Sequence, residues 1–168
     1  MKKNIAILGS TGSIGKSLLK IVSKNKKKFN ILLLTANKNY KLLFKQAQIF
    51  NVENLIITDK KYYNIALKKK SKKIKIYNNF DNLEKIFLKK IDYAMSSIVG
   101  LEGLVPTFNM IKFTKKIAIA NKETIICAWN LIKKELKKNK TEFIPVDSEH
   151  FSIWYALKKN SIDNLDKI

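Results

Sequence analysis

The feature that most constrains the fold is a glycine-rich turn directly after the first apolar run of the chain. The apolar run is followed by Gly9, Gly12 and Gly15, and a segment with helical spacing of apolar residues comes next. In a strand–turn–helix unit, the first glycine permits a tight turn, the second lets backbone N–H groups approach a pyrophosphate, and the third lets helix and strand pack closely. We therefore predict an anion-binding turn at a helix N-terminus. A glycine-rich turn that binds nothing is the alternative.

The remaining chain alternates between strand-like and helix-like segments, which is typical of an α/β fold with a parallel sheet. Strands are predicted at residues 4–8, 30–35, 55–58, 74–77, within 91–99, 116–120 and 142–146. Helices are predicted at residues 13–24, 40–50, 60–70, 81–89, 104–113, 123–138 and 151–157. We predict a Rossmann-like, doubly wound, mostly parallel domain over residues 1–146, and the truncated start of a second domain over residues 147–168.

The charge of the chain suggests two kinds of partner. There are 34 basic residues against 13 acidic ones, giving a formal net charge of +21. A nucleic-acid or anionic-membrane partner is one explanation. The lysine bias of an AT-rich genome is the other, and it is favoured because every basic residue is Lys and Arg is the usual reader of phosphate and guanine. We expect no specific nucleic-acid partner.

The compartment is predicted from the apolar runs and the cysteine content. No apolar run approaches the roughly 18 residues of a membrane span. Cys127 is the single cysteine, so an internal disulfide is excluded and a reducing cytosol is expected. We predict a cytoplasmic protein without a membrane partner. Cys127 lies mid-helix and is expected to be a small core residue and not a nucleophile.

The turn after the second strand indicates which dinucleotide is bound. NAD-binding proteins usually place an acidic residue there, about 20 residues after the glycines, to hold the ribose 2′-hydroxyl. Here the turn reads Asn37, Lys38 and Asn39, with a cation and no carboxylate. This favours NADP(H), whose 2′-phosphate a lysine attracts. The alternative is that Lys38 is one more surface lysine.

Polar clusters follow two later strands. Asn121, Lys122 and Glu123 come after the strand at 116–120, and they form either part of the ligand crevice or a capped helix start. Asp147 and Glu149 lie two apart after the strand at 142–146, so in extended chain both carboxylates point the same way. Such oxygen ligands suit Mg²⁺ or Mn²⁺, with a further ligand supplied from elsewhere. The alternative is another helix start, with the only histidine, His150, in solvent.

Taken together, these motifs resemble the 1-deoxy-D-xylulose 5-phosphate reductoisomerase family of non-mevalonate isoprenoid biosynthesis. The matching segments are residues 7–15, 36–39, 98–100, 103–107, 120–123 and 145–150. The resemblance runs along the whole chain but covers under half of a full enzyme of that family. It implies NADPH and Mn²⁺ or Mg²⁺ as cofactors, a sugar-phosphate substrate, and a homodimer when the protein is full length. The family rearranges its hydroxyketone substrate and reduces the product to 2-C-methyl-D-erythritol 4-phosphate.

The resemblance also implies residue roles. Cofactor-binding residues would be Gly9, Ser10, Thr11, Gly12, Ser13, Ile14, Gly15, Asn37, Lys38, Asn39, Asn121 and Glu123. Catalytic residues would be Lys122, Asp147, Glu149 and His150, with Asp147 and Glu149 as metal ligands and with Lys122, Ser148 and Glu149 touching substrate. Hydroxyls of Ser10, Thr11 and Ser13 are expected to add donors to the phosphate site.

The sequence departs from the family in two ways. Asn37 replaces a glycine, and the turn is expected to survive because asparagine tolerates left-handed geometry. The family's third carboxylate ligand and its substrate-phosphate residues lie beyond Ile168. We therefore expect this chain alone to bind NADPH without turnover. The alternatives are a non-catalytic NADP-binding fragment or eroded gene product, and a semialdehyde-dehydrogenase-like NADP oxidoreductase.

Overall fold

A computed structural model describes the backbone of residues 1–159 and the side chains of residues 1–147 and 151–156. The strands are β1 (Lys3–Leu8), β2 (Phe29–Ala36), β3 (Asn54–Ile57), β4 (Lys75–Tyr77), β5 (Tyr93–Ser96), β6 (Lys116–Ile119) and β7 (Glu142–Pro145). The helices are α1 (Ser13–Lys24), α2 (Tyr40–Phe50), α3 (Lys60–Lys69), α4 (Leu104–Ile111), α5 (Lys122–Asn139) and α6 (Ser148–Lys159).

The strands form one seven-stranded sheet in the order β4-β3-β2-β1-β5-β6-β7. Every pair of neighbouring strands is parallel. The chain first builds outward from β1 to β4 and then starts again on the other side of β1 with β5, so the winding reverses between β1 and β5. The predicted α/β class and the Rossmann-like, doubly wound topology are confirmed. In such sheets the ligand crevice lies at the carboxyl ends of the strands beside this reversal.

The sheet buries both of its faces, and the alternation along β1 shows how. Ile5 and Ile7 belong to one core cluster, and Ala6 and Leu8 belong to the other. Successive side chains of a strand point to opposite faces, so a strand covered on both sides reads as a continuous apolar run. This is why the seven strands could be recognised from short apolar runs in the sequence.

Two of the predicted helices differ from the observed ones. The helix predicted over 81–89 is only a 3₁₀ turn at Leu83–Lys85. Phe80, Leu83 and Phe87 are all buried in the core, so their helix-like spacing reflects a packed irregular segment. The final helix starts earlier than predicted, at Ser148, and runs to Lys159. None of the described helices is long and apolar enough to cross a bilayer. The sequence also predicts the start of a strand at residues 166–168, and these residues lie outside the described part of the chain.

Candidate functional site

A cavity of about 580 Å³ opens at the carboxyl ends of the central strands, beside the winding reversal. It is lined by the glycine-rich turn after β1, by the turn after β2, and by the residues that follow β3 and β5. The glycine-rich turn, residues 9–12, is called the phosphate loop from here on. Because all strands are parallel, the residues after β6 and β7 leave the sheet at this same edge.

The three glycines have different steric surroundings. Gly9 has a positive φ of 81°, and a Cβ there would lie 2.8 Å from the carbonyl oxygen of Ser97. A Cβ on Gly15 would lie 2.6 Å from the Cα of Ser10 and would also overlap the carbonyl of Gly9. A Cβ on Gly12 would meet the carbonyl oxygen of Gly9 at 3.3 Å, and Gly12 is exposed in the cavity wall. Tight turning at Gly9 and close packing at Gly15 are confirmed, while Gly12 leaves room on the ligand side.

The backbone N–H groups of this segment fall into two sets. Those of Gly9 and Ser10 donate to the hydroxyl and carbonyl oxygens of Thr35, at 2.8 and 2.9 Å, and that of Gly12 donates to Gly9. The N–H groups of Thr11 and of the first α1 residues, 13–15, have no acceptor among the residues that the structure describes. Helix α1 also has no side-chain cap. Four donors therefore remain for an anion at a positively polarised helix end.

Ser10 does not face the cavity as a phosphate donor. Its side chain is fully buried, and its hydroxyl hydrogen-bonds Gln46 at 2.7 Å and the carbonyl of Thr35 at 3.2 Å. The expected hydroxyl donation by Ser10 is therefore wrong, because the tight turn at Gly9 directs this side chain into the protein. Thr11 and Ser13 are at least partly exposed and keep that role as an expectation. Gln46 was not found from the sequence, although it is the polar residue on the buried face of α2.

The turn after β2 is built from asparagine side chains. Asn37 donates to the hydroxyl of Thr58 at 2.9 Å, and Asn39 caps α2 by accepting from the N–H of Leu42 at 3.2 Å. Among the described residues the non-glycine residues with positive φ are Asn51 and Lys140. The turn at Asn37 is thus present, and Asn37 does not adopt the left-handed conformation that the glycine of the family suggested.

Lys38 is exposed and lines the cavity. No ion pair or hydrogen bond holds its ammonium group among the side chains that the structure describes. Asp59 also lines the cavity, but its carboxylate accepts from the N–H of Tyr62 at 3.1 Å and so caps α3. The carboxylate of Asp59 therefore has a structural hydrogen bond, whereas the ammonium of Lys38 does not.

Asn121 uses its whole amide group to hold two segments together. It is buried, its Nδ2 donates to the carbonyls of Ile98 and Gly100, and its Oδ1 accepts from the N–H of Thr124 at 2.9 Å. The helix-cap interpretation is thus confirmed. Asn121 also ties the start of α5 to the loop after β5, which lines the cavity. Lys122 is exposed and Glu123 is half-buried at the same helix start.

The last polar cluster also begins a helix. Helix α6 starts at Ser148, and the carbonyl of Asp147 accepts from the N–H of Phe151 at 2.9 Å. The expectation that Asp147 and Glu149 lie in extended chain is therefore wrong, since Glu149 is in the first turn of a helix. The side chains of Ser148, Glu149 and His150 lie outside the described residues. Within the described part, no three His, Cys, Asp or Glu side chains form a group that could hold a metal ion.

The prediction that Cys127 is a core residue is wrong. Its side chain is exposed on α5, and the next residue, Ala128, is the buried one. Its location on a helix surface gives it no role at the cavity.

The opposite edge of the sheet has a different chemistry. Asp92, just before β5, accepts from the ammonium of Lys115 at 2.8 Å and from the N–H of Asn4 at 2.9 Å. The hydrogen bond from Lys115, followed by that from Asn4, lowers the pKa of Asp92 below its ordinary value. Burial raises the pKa of the neighbouring Tyr93 to about 12.

The comparisons with known proteins decide the family. A sequence profile of the 1-deoxy-D-xylulose 5-phosphate reductoisomerase family matches residues 5–129. The 1-deoxy-D-xylulose 5-phosphate reductoisomerase of Pelagibacter ubique (strain HTCC1062) is 61% identical over 169 residues, covering 99% of this chain and 44% of that protein. The chain belongs to the 1-deoxy-D-xylulose 5-phosphate reductoisomerase family. The semialdehyde-dehydrogenase alternative is therefore wrong.

Solved structures of this reductoisomerase family agree with the fold. The Zymomonas mobilis enzyme in complex with NADPH has a TM-score of 0.81 at 32% identity, covering 89% of this chain and 40% of that one. A reductoisomerase in complex with NADPH, fosmidomycin and magnesium has a TM-score of 0.80 at 30% identity, covering 88% of this chain and 37% of that one. The chain thus spans less than half the length of the reductoisomerases it matches.

Proposed function

We propose that this chain is the NADPH-binding part of a reductoisomerase that converts 1-deoxy-D-xylulose 5-phosphate to 2-C-methyl-D-erythritol 4-phosphate. The observation that carries the proposal is the set of four open N–H groups on Thr11 and residues 13–15, beside a cavity that also receives Lys38. Backbone donors at a helix N-terminus suit a pyrophosphate, and a free ammonium suits a 2′-phosphate. The family relative solved with NADPH supports the same cofactor.

The cofactor would lie across the winding reversal of the sheet. The four N–H groups would hold its pyrophosphate, and the room beside Gly12 would admit the phosphate oxygens close to the backbone. The turn at Asn37, Lys38 and Asn39 would surround the 2′-phosphoribose. The loop after β5, which Asn121 holds, would form the wall on the other side of the cofactor. Glu123, in the first turn of α5, would also contact the cofactor on that side.

The residues after β6 and β7 would serve the substrate. Lys122, at the first turn of α5, is exposed at the cofactor edge and would contact the anionic substrate. Asp147 and Glu149 would bind the divalent metal, with Ser148 and His150 beside them. The oxygen donors suit Mg²⁺ or Mn²⁺, and a relative was solved with magnesium. Such an ion supplies Lewis-acid polarisation of a carbonyl and an adjacent hydroxyl.

We also propose that the full-length protein is a cytoplasmic homodimer.

The direct test is calorimetric titration of this chain with NADPH and with NADH. We expect NADPH to bind at least tenfold more tightly, because only NADPH offers a phosphate to the free ammonium at the β2 turn. Equal affinities would contradict the NADP assignment, and failure of both ligands to bind would contradict the dinucleotide site itself. Titration with a DNA duplex at two salt concentrations tests the nucleic-acid-binding alternative, which requires tight binding with a steep salt dependence.

A further inference from the structure

The inner side of the phosphate loop is held by a side chain from α2. Gln46 is 6% exposed and Ser10 is fully buried. The hydroxyl of Ser10 donates to Oε1 of Gln46 at 2.7 Å, and Nε2 of Gln46 donates back to the carbonyl of Ser10 at 2.9 Å. The glutamine amide thus both accepts from and donates to the same residue of the loop.

Thr35 completes this network from β2. Its hydroxyl accepts from the N–H of Gly9, and its carbonyl accepts from both the N–H and the hydroxyl of Ser10. Thr35 is 1% exposed, so none of these bonds competes freely with water. Gly9 and Ser10 are consequently fixed by β2 on one side and by α2 on the other.

The choice of glutamine needs an explanation, because Gln46 lies between the buried apolar residues Leu43 and Ala47 on the core face of α2. An apolar side chain would be the ordinary choice there, because burying an amide costs free energy unless its hydrogen bonds are made. A carboxylate cannot donate, and a lysine cannot accept. An amide is therefore suited to hold both the hydroxyl and the carbonyl of Ser10 in one orientation.

We propose that Gln46 is a positioning residue for the dinucleotide, which acts through Ser10 to fix the direction of the open N–H groups on Thr11 and residues 13–15. The inference rests on the proposed cofactor site and adds to it a residue that does not touch the ligand. The same helix begins at Asn39 in the turn expected to hold the 2′-phosphoribose. Gln46 thus links the two halves of the site through one rigid element.

The test replaces Gln46 with methionine, which has a similar length and makes neither hydrogen bond. NADPH affinity of the Gln46→Met chain is expected to fall at least tenfold, because the pyrophosphate donors lose their fixed direction. The affinity for 2′-AMP, which has the 2′-phosphate but no 5′-phosphate, is expected to change less than twofold. A purely structural role would weaken both ligands equally, so equal losses would overturn the proposal, as would unchanged NADPH binding.

Two further variants control the result. Gln48→Met places the same change on the exposed side of α2 and should leave both affinities unchanged. Ser10→Ala removes only the hydroxyl, which is a milder change. It allows the test to be made if Gln46→Met does not fold. The double variant should bind NADPH no more weakly than Gln46→Met alone, because Gln46→Met already removes the hydrogen bond to Gln46 that Ser10→Ala removes. Additive losses would show that Gln46 acts by another route.

A measurement without cofactor separates this proposal from the proposed function. In amide hydrogen exchange of the free chain, the N–H groups of Ser10 and Gly12 should exchange at least tenfold faster in Gln46→Met, while those of β6 keep their wild-type rates. Wild-type exchange at both residues would overturn the positioning role. If the wild-type chain binds no NADPH, the proposed function fails, and the exchange rates still decide whether Gln46 orders the loop.

Discussion

The two edges of the sheet differ in the burial of their polar side chains. At the carboxyl edge, Ser10, Gln46 and Asn121 are buried with their side chains bonded mainly to backbone, and the N–H groups beside them stay open. At the amino edge, the ion pairs Lys115–Asp92 and Lys116–Glu142, at 2.8 and 2.6 Å, join side chains that are between 32% and 61% exposed. Buried hydrogen bonds fix geometry, whereas exposed ion pairs contribute little to stability. The comparison indicates that the carboxyl edge is better suited than the amino edge to hold a ligand in a defined position.

The largest effect is expected at Gly15. A Gly15→Ala substitution places a Cβ against the Cα of Ser10, so the loop must move away from α1. We expect a loss of about 3 kcal/mol of unfolding free energy, at the upper end for overpacked sites, together with loss of NADPH binding. Urea unfolding and calorimetry measure the two effects.

Gly12→Ala provides the contrast to Gly15→Ala, because its Cβ has only one near neighbour, at 3.3 Å. This variant should fold almost as stably as wild type and still lose NADPH affinity. If Gly15→Ala were as stable as Gly12→Ala, the different roles of the two glycines would be disproved.

The next effect is expected at Asn121. In Asn121→Leu, the carbonyls of Ile98 and Gly100 and the N–H of Thr124 lose their partner. Leaving buried groups unpaired and removing a helix cap should reduce the unfolding free energy by about 2–3 kcal/mol. Urea unfolding measures this loss, and Asn130→Leu on the exposed side of α5 is the matched control. A loss of similar size in both variants would argue against the tie between α5 and the loop.

Lys38→Ala should change ligand preference without changing stability. Lys38 is exposed and lines the cavity, so its removal costs no packing. NADPH affinity is expected to fall about tenfold, or about 1.4 kcal/mol, while NADH affinity stays the same. Lys45→Ala on the exposed side of α2 is the control for the loss of one positive charge. Equal effects of the two variants on NADPH would indicate bulk charge instead of a specific contact.

The smallest effect is expected at the amino edge. The pKa of Asp92 is lowered in the folded state from the ordinary value of 3.8, so its bonds stabilise the fold above that value and are lost as the pH falls through the folded-state pKa. Asp92→Asn should therefore unfold at a slightly lower temperature than wild type at pH 7, and the difference should shrink as the pH falls below 3.8. NADPH affinity at pH 7 should be unchanged. A loss of NADPH affinity would break the distinction between the two edges.

Much of the fold was readable in the sequence because its signals are local. Buried parallel strands appear as apolar runs, and the phosphate loop appears as glycines at fixed spacing. The side-chain contacts of the site were not readable in the same way. Ser10 and Gln46 are 36 positions apart, and no spacing rule brings them together. The direction of the Ser10 side chain depends on the backbone conformation at Gly9, which has no signature in the sequence beyond the glycine itself.

Errors occurred where apolar residues do not mark a single face. Around Cys127, α5 carries apolar residues on most sides, and Ile126 is 74% exposed while Ile132 is fully buried. Periodicity therefore does not distinguish the inner face from the outer one, and it wrongly predicts Cys127 in the core. In residues 81–89, burial of a few large side chains produced helix-like spacing without a helix. In both segments tertiary contacts, which a single sequence does not contain, determined the outcome.

The position of Thr35 has a consequence for cofactor redesign. This residue bonds Gly9 and Ser10 and precedes the Asn37 turn by only two positions, on the strand that leads into it. A change of the turn that shifts the end of β2, such as an insertion made to accept NADH, would displace the loop that we propose to hold the pyrophosphate. Under the proposed function, selectivity for one ribose and strength of pyrophosphate binding are therefore coupled through β2, and a redesign of the turn would have to preserve the hydrogen bonds of Thr35.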